Sequence, residues 1–250
     1  MINGLIILIR HANREPIYHW TIFDNCSTNL DAPLIPSAKS TVDCFKRQLN
    51  EIYPNWFEKM NFKSSPVQRC IDTLKLFNGL CWSVQLDVGE FVRRSSPIEI
   101  DDAFQFKLES NYEFVPDLPE IIYLRELIKE PIIYKSDLYD VWSTRMCYLE
   151  TIDHSHLNYH ILNDKIWVKI EILTTQYYNE FFTPDILIKL KNIVTHININ
   201  DFICTHDTLI FGLAKLFKSN IELPLPIYLS SIRIEFYDTI NVYYNDLPLI

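Results

Sequence analysis

Two short runs in this sequence put charged and nucleophilic side chains where an apolar strand stops. The first is Arg10-His11-Ala12-Asn13-Arg14, reached from the unbroken apolar run Leu5 to Ile9; the second is His206-Asp207, reached from Asp201 to Thr205. A third cation, Arg69, falls in or just past the first turn of a predicted helix, at its electropositive end, where an anion is welcome and an arginine does little for the helix itself. Together these residues have the makings of phosphoryl chemistry. A phosphate monoester dianion needs donors on its non-bridging oxygens, and the planar forks of Arg10, Arg14 and Arg69 supply charge-assisted pairs without ever losing a proton. A neutral imidazole can take the phosphoryl group, and a neighbouring carboxylic acid can protonate the leaving oxygen and then activate water. The plainer reading of each run is a polar loop after a strand, with Arg69 an ordinary surface cation.

The elements around these residues are those of an α/β protein. Leu5 to Ile9 is an unbroken apolar run rich in β-branched residues, as in a strand buried on both faces, and ligands of open α/β sheets bind at the carboxyl ends of such strands. Ala38, Val42, Phe45, Leu49 and Ile52 recur at helical steps between Ser37 and Pro54. Asn61 to Ser64 reads as a second strand. It leads into a helix with Ser65 as cap, Pro66 at its first position, Gln68 closing a capping box and Gly79 as its stop. Residues 83–165 change in texture, with Pro97, Pro116, Pro119 and Pro131, many tyrosines and two helical patterns, Glu120 to Lys129 and Asp137 to Leu149 capped by Ser136. They read as a smaller, mainly helical lobe forming one wall of a cleft, inserted into an α/β core of residues 1–82 and 166–250. Helices Asp164 to Tyr178 and Thr183 to Ile197, the helix Thr208 to Phe217, and a hairpin of Tyr228 to Phe236 with Ile240 to Tyr244 complete the chain. The expected class is thus a mostly parallel central sheet with helices on both faces.

Composition narrows the chemistry. The chain has 250 residues and a formal charge of -9, which argues against nucleic acid or a membrane surface as partner. Its four glycines, Gly4, Gly79, Gly89 and Gly212, are far apart, so no glycine-rich turn can cradle a phosphate and side chains must hold it. The six cysteines have no CxxC spacing and read as free, largely buried thiols in a reducing compartment, which leaves the Asn25-Cys26-Ser27 sequon without meaning. No run is long enough to span a bilayer and no cleavable signal is read, so a cytoplasmic protein is expected. His154, His156 and His160 lack a cysteine or paired carboxylate to complete a metal site and read as solvated; Arg93-Arg94 reads as a surface pair, and the lobe's aromatics as core.

Arg10-His11-Ala12-Asn13-Arg14-Glu15-Pro16 resembles the RHGxRxP signature of the histidine acid phosphatases, the second branch of the histidine phosphatase superfamily. Cys204-Thr205-His206-Asp207-Thr208 resembles their HD signature, and Lys63 to Thr73 is similar to the segment that bears their third phosphate-binding arginine. Asp137 to Leu149 is weakly similar to their helical lobe, and Ser230 to Asp246 to their closing hairpin, so the likeness runs in the family's order along the chain. The resemblance implies His11 as nucleophile, Arg10, Arg14, Arg69 and His206 as holders of the phosphoryl oxygens, Asp207 as proton donor, a small phosphate monoester as substrate, and no cofactor or metal. Asp207 directly after His206 favours this branch over the phosphoglycerate mutase branch, whose late histidine is usually followed by glycine, although Ser64-Ser65-Pro66 occurs there too. Ala12 replaces the signature glycine and raises the question of a strained loop, a glycine-bearing start to the first helix is missing around Leu34 to Ala38, and the lobe is short. A non-hydrolysing binder of a phosphorylated ligand is therefore the alternative from another class, with a mutase-branch transferase third. The middle region is acidic on balance, which favours a substrate with one phosphate or a lipid-like one over a highly phosphorylated inositol.

Overall fold

In the computed structural model, which describes residues 2–14, 32–78, 97–106, 113–128, 132–151, 165–218 and 222–250, β1 (Gly4–Arg10) is buried at every position. It lies inside a sheet of order β3-β2-β4-β1-β5-β6-β7, with β2 at Asn61–Ser64, β3 at Ile98–Ile100, β4 at Asp201–Thr205, β5 at Ser231–Phe236, β6 at Ile240–Tyr244 and β7 at Leu247–Pro248. The half from β3 to β1 is parallel, and the hairpin β5-β6 with the edge strand β7 continues it antiparallel.

Alternate residues of β1 go to opposite layers, as the pleat requires. Leu5, Ile7 and Ile9 pack with Ala38, Val42 and Leu49 of α1 (Ala38–Ile52) and Cys70, Leu74 and Phe77 of α2 (Gln68–Asn78). On the other face Ile6 and Leu8 join Leu190 and Ile193 of α6 (Pro184–Val194), Phe211 and Leu213 of α7 (Asp207–Phe217), and Phe182. A third cluster, built on Ile121, Leu124, Leu138, Val141 and Trp167, joins α3 (Pro119–Ile128), α4 (Lys135–Thr151) and α5 (Ile166–Phe181). Helices cover both faces, and the α/β class expected above is the one present.

At Gly212 of α7 the neighbouring side chains leave no room for a Cβ. A Cβ there would come within 2.4 Å of Leu190 Cδ1 and 2.6 Å of Phe182 Cε1. Replacing Gly212 with alanine gains up to about 1 kcal/mol of helix propensity. It loses about 1–3 kcal/mol to overpacking, so the thermal midpoint should fall, and an unchanged or raised midpoint would show that α6 can move aside at no cost.

Several boundaries differ from the sequence reading, each for a local reason. Helix α4 begins at Lys135, so Ser136 lies inside it, and Asp137 Oδ2 accepts from the backbone N–H groups of Ile133 and Tyr134 at 2.9 and 2.8 Å. Ser65 Oγ accepts from Val67 N at 3.3 Å ahead of α2, while Gln68 Nε2 donates to Asp72 one turn on. Helix α5 starts two residues later than read, and α6 stops at Val194. Strand β5 begins at Ser231 instead of Tyr228 because Leu229 has a φ of 58°, which no strand residue can keep. Strand β3, only three residues long, pairs with β2, and Phe104 behind it is in the main core, so this part of the 83–165 range belongs to the sheet layer. Cys70 and Cys204 are buried free thiols, but Cys44 is exposed. Gly79, Gly89, the sequon, Arg93-Arg94 and the three histidines from His154 to His160 lie outside the described residues. Among the described residues no helix is long and apolar enough to cross a membrane.

Candidate active site

Sheet register brings the two motifs to one edge. Ile9 pairs with Cys204 and Arg10 with Thr205, while Ser64 pairs with Cys204 from the other side. The chain then leaves the sheet at three adjacent points, with His11 N donating to Thr205 O at 3.0 Å and Ser65 N to Cys204 O at 3.0 Å. His11, Ser65 and His206 therefore emerge side by side, with the rings of the two histidines 5.6 Å apart.

His11 has one chemically sensible protonation state. Its Nδ1 lies 2.8 Å from the Ala12 carbonyl, which can only accept, so Nδ1 carries the proton. Its Nε2 lies 3.0 Å from Arg69 Nε, which can only donate, so Nε2 keeps a lone pair. Burial holds the imidazole's pKa well below 6.5, helped by the nearby charges of Arg69 and Arg10. The ring is a neutral base aimed at a guanidinium.

Arg69, the second residue of α2, touches both rings. Besides His11 it donates from Nη2 to His206 Nδ1 at 3.4 Å, which leaves His206 Nε2 to donate to Ser65 Oγ at 3.0 Å. The helix start that carries Arg69 also ties down the first loop, because Thr73 Oγ1 accepts from Ala12 N at 3.0 Å and donates to the Arg69 carbonyl at 2.7 Å.

Asp207 opens α7, directly after the N-cap His206. Its Oδ1 accepts from Thr208 N at 2.8 Å, its Oδ2 accepts from the Tyr139 hydroxyl, and Arg10 Nη2 stands 3.6 Å from Oδ2. Burial alone would raise its pKa, but Arg10 and the hydrogen bonds from the Tyr139 hydroxyl and Thr208 N outweigh that and hold it below the ordinary carboxylate value. Arg10 is locked in place by a hydrogen bond to Pro226 O at 2.6 Å, another to Ser143 Oγ at 3.4 Å, and the face of Tyr228, 4.4 Å from the guanidinium carbon.

Of the residues singled out from sequence, His11, Arg69 and His206 are joined by direct contacts, Arg10 stands against Asp207, and the two sets adjoin along the chain at Arg10-His11 and His206-Asp207. Arg14 is buried three positions along the same loop, bridged antiparallel to Leu34. Ala12 is fully buried in the core and is not among the residues with positive φ, so its Cβ is accommodated and the expected strain is not found. Among the described residues no cluster of histidine, cysteine or carboxylate side chains has the makings of a metal site.

Neither a family model nor a curated protein matches the sequence. Solved structures do match the fold. The phytase from Citrobacter braakii aligns at TM-score 0.57 and 11% identity over 96% of this chain and 84% of that one. The phytase from D. castellii aligns at TM-score 0.55 and 11% identity over 99% of this chain and 74% of that one. The chain has the fold of these phytases.

Within that fold the site has components that no motif announces. Tyr139 and Ser143 come from α4, Tyr228 from the turn before β5, and Thr73 from the second turn of α2. Ser65 was legible only as a helix cap, although it also partners His206. None of the others has a sequence signal, since each meets the site through tertiary packing.

Proposed function

We propose that this protein is a phosphomonoesterase of the histidine acid phosphatase branch, acting on a small phosphate monoester through a phosphohistidine on His11. The observation that carries this reading is the state of His11: a neutral imidazole with Nδ1–H spent on the Ala12 carbonyl and its Nε2 lone pair directed at Arg69. An incoming monoester monoanion gives its proton to Asp207 and, now a dianion, draws the Arg69 guanidinium onto a non-bridging oxygen and frees that lone pair. Arg10, Arg14 and His206 take the remaining charge. Nε2 then attacks phosphorus, the bond to the leaving oxygen breaks, and Asp207 gives that oxygen a proton. In the second half Asp207, now a carboxylate, takes a proton from water. The water oxygen attacks phosphorus, the phosphorus–Nε2 bond breaks, inorganic phosphate leaves and His11 returns to its starting state.

Asp207 is ionised in the free protein, so its proton must come with binding. A monoester monoanion carries one, and the negative charge it places on Arg10 weakens the interaction that holds Asp207 low. Asp207 following His206, and lying against Arg10, is the feature that favours the phosphatase branch over the mutase branch. The low pKa of Asp207 is also the feature that favours the second reading, a binder without turnover. Residues 83–165, less the β3 segment, are proposed to shape the cleft over this edge. A cytoplasmic setting, no nucleic-acid partner and no metal requirement belong to the same proposal, since arginines do the electrophilic work.

Hydrolysis of p-nitrophenyl phosphate between about pH 4 and 8, with EDTA present, tests it. Activity should survive the chelator and persist below pH 6.5, because the imidazole takes up its proton only at the lower pH to which burial has pushed it. Activity that needs an added divalent metal, or that rises as pH passes upward through 6.5, would contradict the reading.

A further inference from the structure

Helix α4 presents one stripe to the site. Tyr139 and Ser143 are four residues apart and so face the same way, the first donating to Asp207 Oδ2 and the second accepting from Arg10 at 3.4 Å. The Tyr139 ring is held from behind: it stacks on Tyr178 with centroids 4.5 Å apart and planes 9° from parallel, and leans on Trp142 at 5.7 Å. Tyr178 in turn is wedged against Phe182 and Phe211 of the main core. A phenol fixed in this way cannot follow the carboxylate, so the carboxylate must come to it.

We propose that Tyr139 is a positioning residue for proton transfer, fixing Oδ2 of Asp207 beside Arg10 and keeping that carboxyl ready to receive and return one proton. This rests on the phosphomonoesterase reading. Among the described residues, the charged and titratable groups facing Asp207 are Arg10 from β1, His206 beside it, Tyr139 from α4, Tyr178 from α5 and Tyr244 from β6. The Tyr139 hydroxyl is the neutral donor among them bonded directly to the carboxylate, so its removal leaves the charge of the site unchanged. A hydrogen bond to the charged form favours that form, and losing it makes the proton easier to hold. Tyr139→Phe keeps the ring, the stack on Tyr178 and the contact with Trp142.

The test has two arms. In the first, the Asp207 side-chain carboxyl is titrated by carbon-detected NMR in the wild-type protein and in Tyr139→Phe, with Asp207→Asn to assign the signal. The midpoint should move to higher pH in the variant. In the second, kcat is followed against pH for an alkyl phosphate, glycerol 2-phosphate, and for p-nitrophenyl phosphate. The alkyl ester should lose about tenfold at its optimum, with its alkaline limb moved up in pH, while the aryl ester, which hardly needs a proton, stays within about twofold. Identical titration midpoints, or equal losses on both esters, would overturn the assignment. If the wild-type protein turns over neither ester, the phosphatase reading fails, and the kinetic role of Tyr139 fails with it even when the NMR midpoint moves.

Discussion

If His11 is the nucleophile proposed above, replacing it with alanine is expected to lower kcat/KM on p-nitrophenyl phosphate by about four orders of magnitude or more, the scale seen when a covalent nucleophile is removed from a site whose other parts remain. Among the described residues of the site, the other candidate groups are already engaged. His206 Nδ1 accepts from Arg69 and its other nitrogen is turned to Ser65, while Asp207 is engaged by Tyr139 and Thr208 N. The fold survives, because His11 sits in the loop past β1 and its backbone N–H bond to Thr205 O does not depend on the side chain. The same variant has a stability signature of known sign. With a folded-state pKa well below 6.5, His11 resists protonation in the native protein, whereas the unfolded chain accepts the proton first as pH falls. Wild-type stability is therefore lost progressively as pH drops from 6.5 toward the folded-state value, and the alanine variant escapes that loss. Melting curves of the two proteins should converge or cross on acidification, and a gap between them that does not change with pH would contradict the buried neutral imidazole.

Asp207→Asn separates substrates by their leaving groups. An alkyl phosphate expels an alkoxide that must be protonated, and losing a positioned general acid costs about 10²–10⁴-fold. p-Nitrophenolate leaves without that help, so the same variant should slow it far less. Burial, Arg10 and Tyr139 all act on Asp207 at once, and asparagine keeps its size while removing the titration. A comparison of the two esters at one pH decides the matter, because equal slowing of both would take Asp207 out of the acid role and leave it as a partner of Arg10.

The parts of the site that were legible in the sequence are those carried by strand ends. Leu5 to Ile9 and Asp201 to Thr205 announce buried strands through their apolar β-branched texture, and the polar residues that follow must emerge where those strands stop. Parallel pairing of β1 with β4 then brings His11 beside His206. What could not be read is what arrives from elsewhere in the chain. Tyr139 looks like one more apolar-face aromatic of α4, and its bond to Asp207 spans 68 residues of sequence. Arg10 depends on the carbonyl of Pro226 and the ring of Tyr228, both in an irregular turn whose shape follows from the positive φ of Leu229. Strand β3 is too short to show a period, and Asp137 captures the helix start that Ser136 seemed suited to cap. The concern over Ala12 came from a motif letter, and the backbone answers it, because the position needs no left-handed conformation.

The central claim is the covalent intermediate, and the most direct measurement is to trap it. Protein mixed with p-nitrophenyl phosphate and quenched in alkali within milliseconds, where phosphohistidine survives, should yield a peptide containing His11 that is heavier by one phosphoryl group, and the same peptide from the His11→Ala variant should carry none. Turnover with no phosphoryl group on His11 at any quench time, or with the label on another residue, would contradict the account.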